Sequence, residues 1–231
     1  MLDLPIYITL SFGLTILLSM FLFCKATAYS KTTVVVLSLW LVIQSVICLT
    51  GFYAVTDVLP PRFIFLVAPP LVAIVLLFAT SKGKKYMDGW NVKILTLLHV
   101  VRIPVELILF QLFLNKAVPE IMTFEGRNFD IISGISSLII FYFGYVKNVL
   151  SQKIIMVWNI ACLLLLLNIV FHGVLSVPYP FQQFGFEQPN IALLHFPFIF
   201  LPGLIVPLVL LSHLVSIRYI LKNNQKLKLY E

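Results

Sequence analysis

The sequence predicts an all-α polytopic membrane protein with seven transmembrane helices, its N-terminus outside and its C-terminus in the cytoplasm. Of its 231 residues, 61% are hydrophobic and only 11% are charged, and the mean hydropathy is +1.04. Soluble domains carry about 25% charged residues. Apolar runs long enough to cross about 30 Å of hydrocarbon recur along the whole chain. We therefore expect a multi-pass protein of the cell membrane, with the lipid bilayer as its first partner.

Charge-free runs separated by charges and turn residues define the individual spans. A helix that rises about 1.5 Å per residue needs about 20 residues to cross the hydrocarbon core. The predicted spans are 5–24, 32–53, 63–80, 94–114, 131–146, 154–176 and 191–217. Together they make one transmembrane domain over residues 1–217, followed by a basic tail over residues 218–231.

The distribution of lysine and arginine predicts the orientation of these spans. The first, third and fifth loops and the tail contain Lys25, Lys31, Lys82, Lys84, Lys85, Lys93, Lys147, Lys153, Arg218, Lys222, Lys226 and Lys228. The opposite loops contain only Arg62, Lys116 and Arg127. Because positive residues are retained on the cytoplasmic side, the first loop and the tail are predicted to be cytoplasmic.

The formal net charge of +7 comes from these same lysines and arginines of the loops and tail. In a soluble protein it would suggest nucleic acid, but here the basic residues lie in short loops beside apolar runs, so no nucleic-acid partner is expected. The tail combines basic residues with leucines, and we expect it to lie along anionic lipids at the cytoplasmic surface. The oligomeric state is not indicated by the sequence.

The fourth span contains a polar stripe. His99, Arg102 and Glu106 are spaced i, i+3, i+7, which places them on one helical face. An ionisable side chain at this depth costs about 2.5 to 3.5 kcal/mol even on conservative scales, and such residues often mark a binding site or pathway. The structural alternative is that Arg102 and Glu106 neutralise each other as a buried pair that fixes helix packing.

The loop before the fifth span is an unusual connector. Over residues 119–130, charged residues alternate with apolar ones, among them Phe124 and Phe129. The following apolar run, between Asp130 and Lys147, is short for a span, at about 24 Å of helix. We therefore expect the loop to dip into the protein, anchored by its two phenylalanines.

On this hypothesis the charged residues of the loop complete a site. Glu125, Arg127 and Asp130 would point into a cavity, where irregular backbone is tolerated at membrane depth. Either Glu125 or Asp130 would then be a partner for Arg102. The alternative is a local pair between Glu125 and Arg127 on the surface.

A metal site is a further prediction. His172 and His195 lie near the outer ends of the sixth and seventh spans, and with Glu106, Glu125 or Asp130 they would offer nitrogen and oxygen ligands suited to zinc or iron. No HExxH motif is present, and a histidine near the membrane interface is more often an ordinary hydrogen-bonding residue than a metal ligand. The other two histidines lie deeper, so two pairs at two depths would suit two haems. No cofactor is identified by these patterns.

Three classes of function follow from these features. The first is binding or transport of a small solute, ion or proton through the polar site of the fourth span. The second is a metal-dependent intramembrane hydrolase that acts on lipid, and the third is a structural or assembly subunit of a membrane complex. The absence of a Walker motif and of a redox CxxC pair argues against an ATP-driven pump and a thiol oxidoreductase.

Overall fold

The computed structural model describes residues 3–228, with side chains described as far as residue 223. Within that range the chain is helical and contains no strand. The α-helices are α1 (Ile6–Ala26), α2 (Lys31–Leu49), α3 (Ile64–Ala79), α4 (Ser81–Asp88), α5 (Val92–Leu98), α6 (Arg102–Leu114), α7 (Asp130–Ile139), α8 (Gln152–Leu175) and α9 (Val206–Lys228).

Five helical segments are long and apolar enough to cross a membrane. They are α1, α2, α5 joined to α6, α8, and α9 with the turn before it. A sixth is obtained if α3 and α4, which meet at an angle of 90°, are counted as one broken span. The apolar helix Asp130–Val146 is shorter. The structure therefore has five or six helices of spanning length, and the predicted seventh depends on this short helix.

Three stretches depart from α-helical geometry. A 3-10 turn, His99–Val101, joins α5 to α6, and π-helical turns occupy Ile140–Val146 after α7 and Leu201–Ile205 before α9. Such interruptions often occur at functional sites. The first lies directly before Pro104 of α6, and a proline within a helix disturbs the hydrogen bonding of the preceding turn.

The first six predicted spans agree with the helices to within a few residues, but the start of the seventh is wrong. The helix begins at Leu201, whereas residues 191–200 form mostly buried turns. The backbone amides of Ile191 and Ala192 donate to the carbonyl oxygen of Ala117 at 3.1 and 2.9 Å. Because a neighbouring segment satisfies these amides, the apolar run does not need to be helical there.

The last helix also continues past the predicted boundary at residue 217. It remains unbroken to Lys228, so that boundary is not a helix end. Near its end, Arg218 and Lys222 both pair with Asp88, the last residue of α4, and Lys222 Nζ lies 2.7 Å from Asp88 Oδ2. The predicted lipid contacts of residues 224–231 lie outside the described side chains.

Hydrogen bonds group the connecting segments at two ends of the bundle. At one end, the backbone amide of Asn91 donates to the carbonyl oxygen of Ala26 at 2.8 Å, three residues after Asp88 and its ion pairs. At the other end, the Asn168 side chain donates to the carbonyl oxygen of Arg127 at 2.8 Å. Between these ends, α5 packs against α1 and α9, and α6 packs against α1 and α7, so the fourth predicted span lies at the centre.

Candidate functional site

Arg102 is the centre of a buried ionic cluster. It is the first residue of α6, and only 3% of its surface is exposed. Its Nε lies 3.0 Å from Oδ2 of Asp130, the buried first residue of α7, and its Nη2 donates to the carbonyl oxygen of Cys162 at 3.2 Å. Of the two acids that the sequence offered as partners, Asp130 is therefore the one that pairs with Arg102.

A glycine allows α7 to approach α6 closely at this point. A Cβ on Gly134 would lie 2.7 Å from Cγ1 of Ile103 and 3.0 Å from its backbone nitrogen. Real Cβ atoms do not approach so closely, so any other residue at position 134 would push the helices apart. This close packing brings Asp130, one turn earlier on α7, against Arg102.

Glu106 takes a different partner from the one that the structural alternative gave it. It is 1% exposed, and its Oε1 accepts a hydrogen bond from Nδ2 of Asn128. The described ion pairs are Arg102 with Asp130 and the two at Asp88, so they do not include the alternative pair between Arg102 and Glu106. The Arg102 guanidinium instead contacts Asp130 and the backbone carbonyl oxygen of Cys162.

Asn128 was not identified by the sequence analysis. It is fully buried, its Nδ2 also donates to the carbonyl oxygen of Met122 at 3.0 Å, and its Oδ1 accepts from the backbone amide of Asp130 at 3.1 Å. Asparagine commonly accepts a bond from the amide two residues ahead in a turn. That pattern was visible in the sequence, but the bond to Glu106 depends on tertiary packing.

The loop packs into the protein as expected, but not through the residues that were expected. Glu125 and Arg127 are exposed, contrary to the prediction that they point into a cavity. Between them, a side chain on Gly126 would overlap the carbonyl oxygen of Glu120, so the chain turns tightly there and leaves both charges at the surface. Their assignment as binding residues stays a prediction without a structural position to support it.

Of the two phenylalanines expected to anchor this loop, only one does so. Phe124 packs against Phe110 with ring centroids 4.8 Å apart, whereas Phe129 is 49% exposed. The buried anchors include Met122 and Thr123. Anchoring by Phe129 was therefore a wrong expectation, because the buried Asn128 and Asp130 on either side direct that residue outward.

A cavity of about 90 Å³ borders the cluster. Arg102, Glu106 and Asp130 all line it, and each has at least one buried polar atom without a hydrogen-bond partner: Nε and Nη1 of Arg102, Oε2 of Glu106 and Oδ1 of Asp130. The rest of the lining is almost entirely apolar and comes from α3 and the residue before it, α6, α8, α9 and the turns before α7 and α9. Since one water needs about 10 to 15 Å³ of such space, the cavity has room for several waters or a small ion.

Two histidines lie deeper, at the other end of the polar stripe. His99 and His213 are fully buried, and their rings stack with centroids 3.9 Å apart. Nδ1 of His213 is 3.0 Å from Oδ1 of Asn159, while both ring nitrogens of His99 lack a partner. Rings stacked face to face leave no space for a haem between them, so this pair does not have the geometry of axial haem ligands.

The other two histidines are held by local hydrogen bonds. Nδ1 of His172 is 2.9 Å from the carbonyl oxygen of Asn168, and Nδ1 of His195 is 2.9 Å from that of Ile191. Over the residues that the structure describes, no three His, Cys, Asp or Glu side chains come together in a way that could hold a metal ion. The metal site at His172 and His195 stays a prediction that lacks a third ligand.

The cluster must be interpreted from its own geometry. It combines a buried ion pair, a buried carboxyl bound to a neutral amide, and a small cavity that all three charged residues line. Comparison with protein-family models, with curated proteins and with solved structures finds no match to this chain.

Proposed function

We propose that this chain binds a proton or a small cation at Glu106 and passes it across the membrane through the cavity beside Arg102. One observation carries the proposal. Glu106 is a buried carboxyl whose hydrogen-bond partner is the neutral side chain of Asn128, while Arg102 is engaged by Asp130. The cluster therefore contains one more acid than it contains bases.

The excess acid makes the site a cation acceptor. A buried carboxylate without a cationic partner is strongly disfavoured, and it becomes stable when a proton or a bound cation neutralises it. The hydrogen bond from Asn128 holds Oε1 of Glu106, whereas Oε2 has no hydrogen-bond partner, and Glu106 lines the cavity. This free oxygen is the atom to which the proton or cation binds.

The remaining groups tune that binding. Arg102 repels a cation, whereas Asp130 offsets this repulsion and offers a second free oxygen, Oδ1, at the same cavity. Opposed charges of this kind keep binding weak enough to be reversible, which transport requires. The cavity of about 90 Å³ excludes large hydrated ions and most organic solutes. A proton is thus the first candidate and a small monovalent cation is the second.

The proposal includes the seven-span arrangement in the cell membrane, with the N-terminus outside. The asymmetry of lysine and arginine supports it. So does the grouping of the segments near Ala26, Asn91 and Arg218 at one end of the bundle and of those near Arg127 and Asn168 at the other. On this topology the cavity lies nearer the outer end.

Cysteine labelling tests the topology. A membrane-impermeant maleimide should label Glu125→Cys in intact cells, and Lys84→Cys only after the cells are opened, in a background that lacks the three native cysteines. Both positions are exposed. Labelling of both from the same side would contradict the arrangement.

The other two classes of function have less support. A metal-dependent hydrolase needs a ligand set that the described residues do not assemble. An assembly subunit would present unpaired charges to a partner helix, whereas Arg102 and Asp130 pair within one chain. Neither class accounts for the free carboxyl oxygens at the cavity.

Reconstitution tests the function directly. Proteoliposomes that contain a pH-sensitive dye should acidify or alkalinise faster than empty liposomes when a potassium diffusion potential is imposed, and Glu106→Gln should return the rate to that of empty liposomes. Glu125→Gln, an exposed acid 19 residues later, is the matched control and should behave as wild type.

Two results would contradict the proposal. One is equal flux in wild type and Glu106→Gln. The other is wild-type flux no greater than that of empty liposomes for protons and also for sodium, measured with a sodium-sensitive dye.

A further inference from the structure

A second and larger cavity lies away from the ionic cluster. It is a groove of about 680 Å³ between α2, α3 and α9, and its lining is mostly apolar. It forms because α2 and α3 bury few side chains: α3 buries only Leu66 and Ile74, and α2 buries only Thr33, Gln44 and Cys48. Two helices that are so sparsely packed leave space between them.

The groove is amphiphilic along its length. Its apolar walls are residues 36–40 of α2, 69–77 of α3 and 203–211 at the start of the last helix. Each of the two longer stretches is about 12 Å of helix. Its polar lining residues are mainly at one end, where Thr32, Thr33, Thr80, Lys82 and Tyr86 surround the mouth. A depth of about 12 Å is less than half of a hydrocarbon core of about 30 Å, so the groove is confined to one leaflet.

The polar mouth is positively charged. Lys82 lines it, and the exposed Lys84 and Lys85 follow on the same short helix, α4. The acid of that helix, Asp88, is occupied by Arg218 and Lys222. Within the part of the chain described, Lys82 takes part in no ion pair, so an anion at the mouth would meet uncompensated positive charge.

One buried donor in the groove is also left without a partner. Trp90 is only 7% exposed, it lines the groove, and its indole Nε1 has no hydrogen-bond partner. A buried donor that is left unsatisfied costs about 1 to 3 kcal/mol. By contrast, Nε1 of Trp40, the other tryptophan of the groove, donates to the carbonyl oxygen of Gly203 at 2.8 Å. An occupant with an acceptor oxygen would satisfy Trp90.

We propose that this groove binds one anionic phospholipid of the lysine-rich leaflet. An acyl chain fills the apolar part, the phosphate lies against Lys82 and the exposed hydroxyl of Thr32 at the mouth, and an oxygen of the glycerol or ester region accepts from Trp90. The charge of the mouth, the depth of one leaflet and the free donor all fit this occupant.

The bound lipid would contact the same helix that closes the ionic cavity. Leu204 and Leu208 line the groove, whereas Ile205 and Val209, on the other side of the helix, line the cavity beside Glu106. The lipid therefore supports the wall of the proposed ion site. The two proposals are nevertheless independent, because lipid retention does not depend on Glu106.

Native mass spectrometry of the purified full-length protein tests the proposal, with phosphatidylglycerol and phosphatidylcholine as probes. Wild type should retain one phosphatidylglycerol in preference to phosphatidylcholine. Lys82→Gln should reduce this preference about fivefold, since one lysine near an anionic lipid contributes about 1 kcal/mol. Lys84→Gln, an exposed lysine of the same helix that does not line the groove, is the matched control and should reduce it less.

A filling variant provides a second, independent measurement. Ala73 and Ala79 are both exposed on α3, but only Ala73 lines the groove. Ala73→Trp should abolish retention of the lipid, and Ala79→Trp should not. The proposal is overturned if phosphatidylcholine is retained equally well, if Lys82→Gln and Lys84→Gln act alike, or if a second copy of the chain, displaced by Ala73→Trp, occupies the groove instead.

Discussion

The two cavities lie on opposite sides of the last helix and are built in opposite ways. The ionic cavity, about 90 Å³, is surrounded by tightly packed helices and fixed by an ion pair, whereas the groove, about 680 Å³, lies between two helices that bury few residues. In a bilayer, charge must be enclosed by protein, while apolar space can be left for lipid. The helices are therefore packed closely around the charged site and loosely around the apolar groove.

This contrast predicts that single substitutions near the cluster are costly and that equivalent ones elsewhere are mild. The largest effect is expected for Asp130→Ala, which leaves Arg102 buried without its partner. Breaking a buried pair in this way costs about 3 to 5 kcal/mol. Denaturant titration in detergent measures the change in the free energy of unfolding.

A double variant sharpens that prediction. Arg102→Met combined with Asp130→Ala removes both charges and should recover most of the loss, because apolar replacements of a buried pair are often tolerated. Glu125→Ala, an exposed acid of the same loop, should change the free energy of unfolding by no more than about 0.5 kcal/mol. No recovery in the double variant would show that the two residues do not act as a pair.

The next effect concerns helix packing beside the cluster. Gly134→Ala would place a Cβ 2.7 Å from Ile103 and should destabilise the protein by about 1 to 3 kcal/mol. Gly13→Ala is the matched control, because a Cβ on Gly13 of α1 meets nothing within 4 Å. That change should stabilise the helix by about 0.5 to 1 kcal/mol. Equal effects, measured as shifts in thermal unfolding, would contradict the close approach of α6 and α7.

A comparable loss is expected at the hydrogen bond to Glu106. Asn128→Ala removes the donor from Oε1 and should cost about 1 to 3 kcal/mol, because a buried acceptor is left unsatisfied. Asn115→Ala, at an exposed asparagine that donates to a backbone carbonyl, should cost less than about 0.5 kcal/mol. Similar unfolding free energies for the two variants would remove Asn128 from the site.

The smallest effect lies at the surface, where Asp88 pairs with Arg218 and Lys222. Hydrogen bonds from these two residues hold the pKa of Asp88 below its usual value of 3.8. A lowered pKa adds stability above the usual value, and this stability is lost as the pH falls through the lowered one. Because the Asp88 side chain is 35% exposed, the loss for Asp88→Asn at pH 7 should be no more than about 1 kcal/mol.

The pH profile checks the origin of this contribution. The difference in unfolding free energy between wild type and Asp88→Asn should disappear at the acid end of the titration and should shrink in high salt at neutral pH. Asp57→Asn, at an exposed aspartate outside the described ion pairs, should show no such difference.

The sequence predicted the helical class, six of the seven segments and the polar stripe, since these depend on local composition and spacing. It also offered Asp130 as a partner for Arg102. It did not predict Asn128, and it gave the surface position of Glu125 and Arg127 only as an alternative, because a loop has no periodicity that tells which side chains face inward. The predicted start of the last span, at residue 191, was wrong for a similar reason. An apolar segment of turns has the composition of a helix, and the sequence does not show that its backbone amides bond to another segment.

The groove was not predicted at all. Its lining residues come mainly from three helices that are distant in the sequence. Its volume results from the small number of side chains that α2 and α3 bury. A hydrophobic pattern indicates which residues avoid water, but it does not distinguish a surface packed by protein from one packed by lipid.

The central claim is that Glu106 is a buried carboxyl neutralised by an exchangeable proton or cation. Infrared difference spectroscopy of the reconstituted protein, in a buffer whose only cation is choline, tests it most directly. Wild type should show the C=O stretch of a protonated carboxyl that is absent from Glu106→Gln and present in Glu125→Gln, and the band should respond to pH or to added sodium. A spectrum in which Glu106→Gln removes no protonated-carboxyl band would contradict the account.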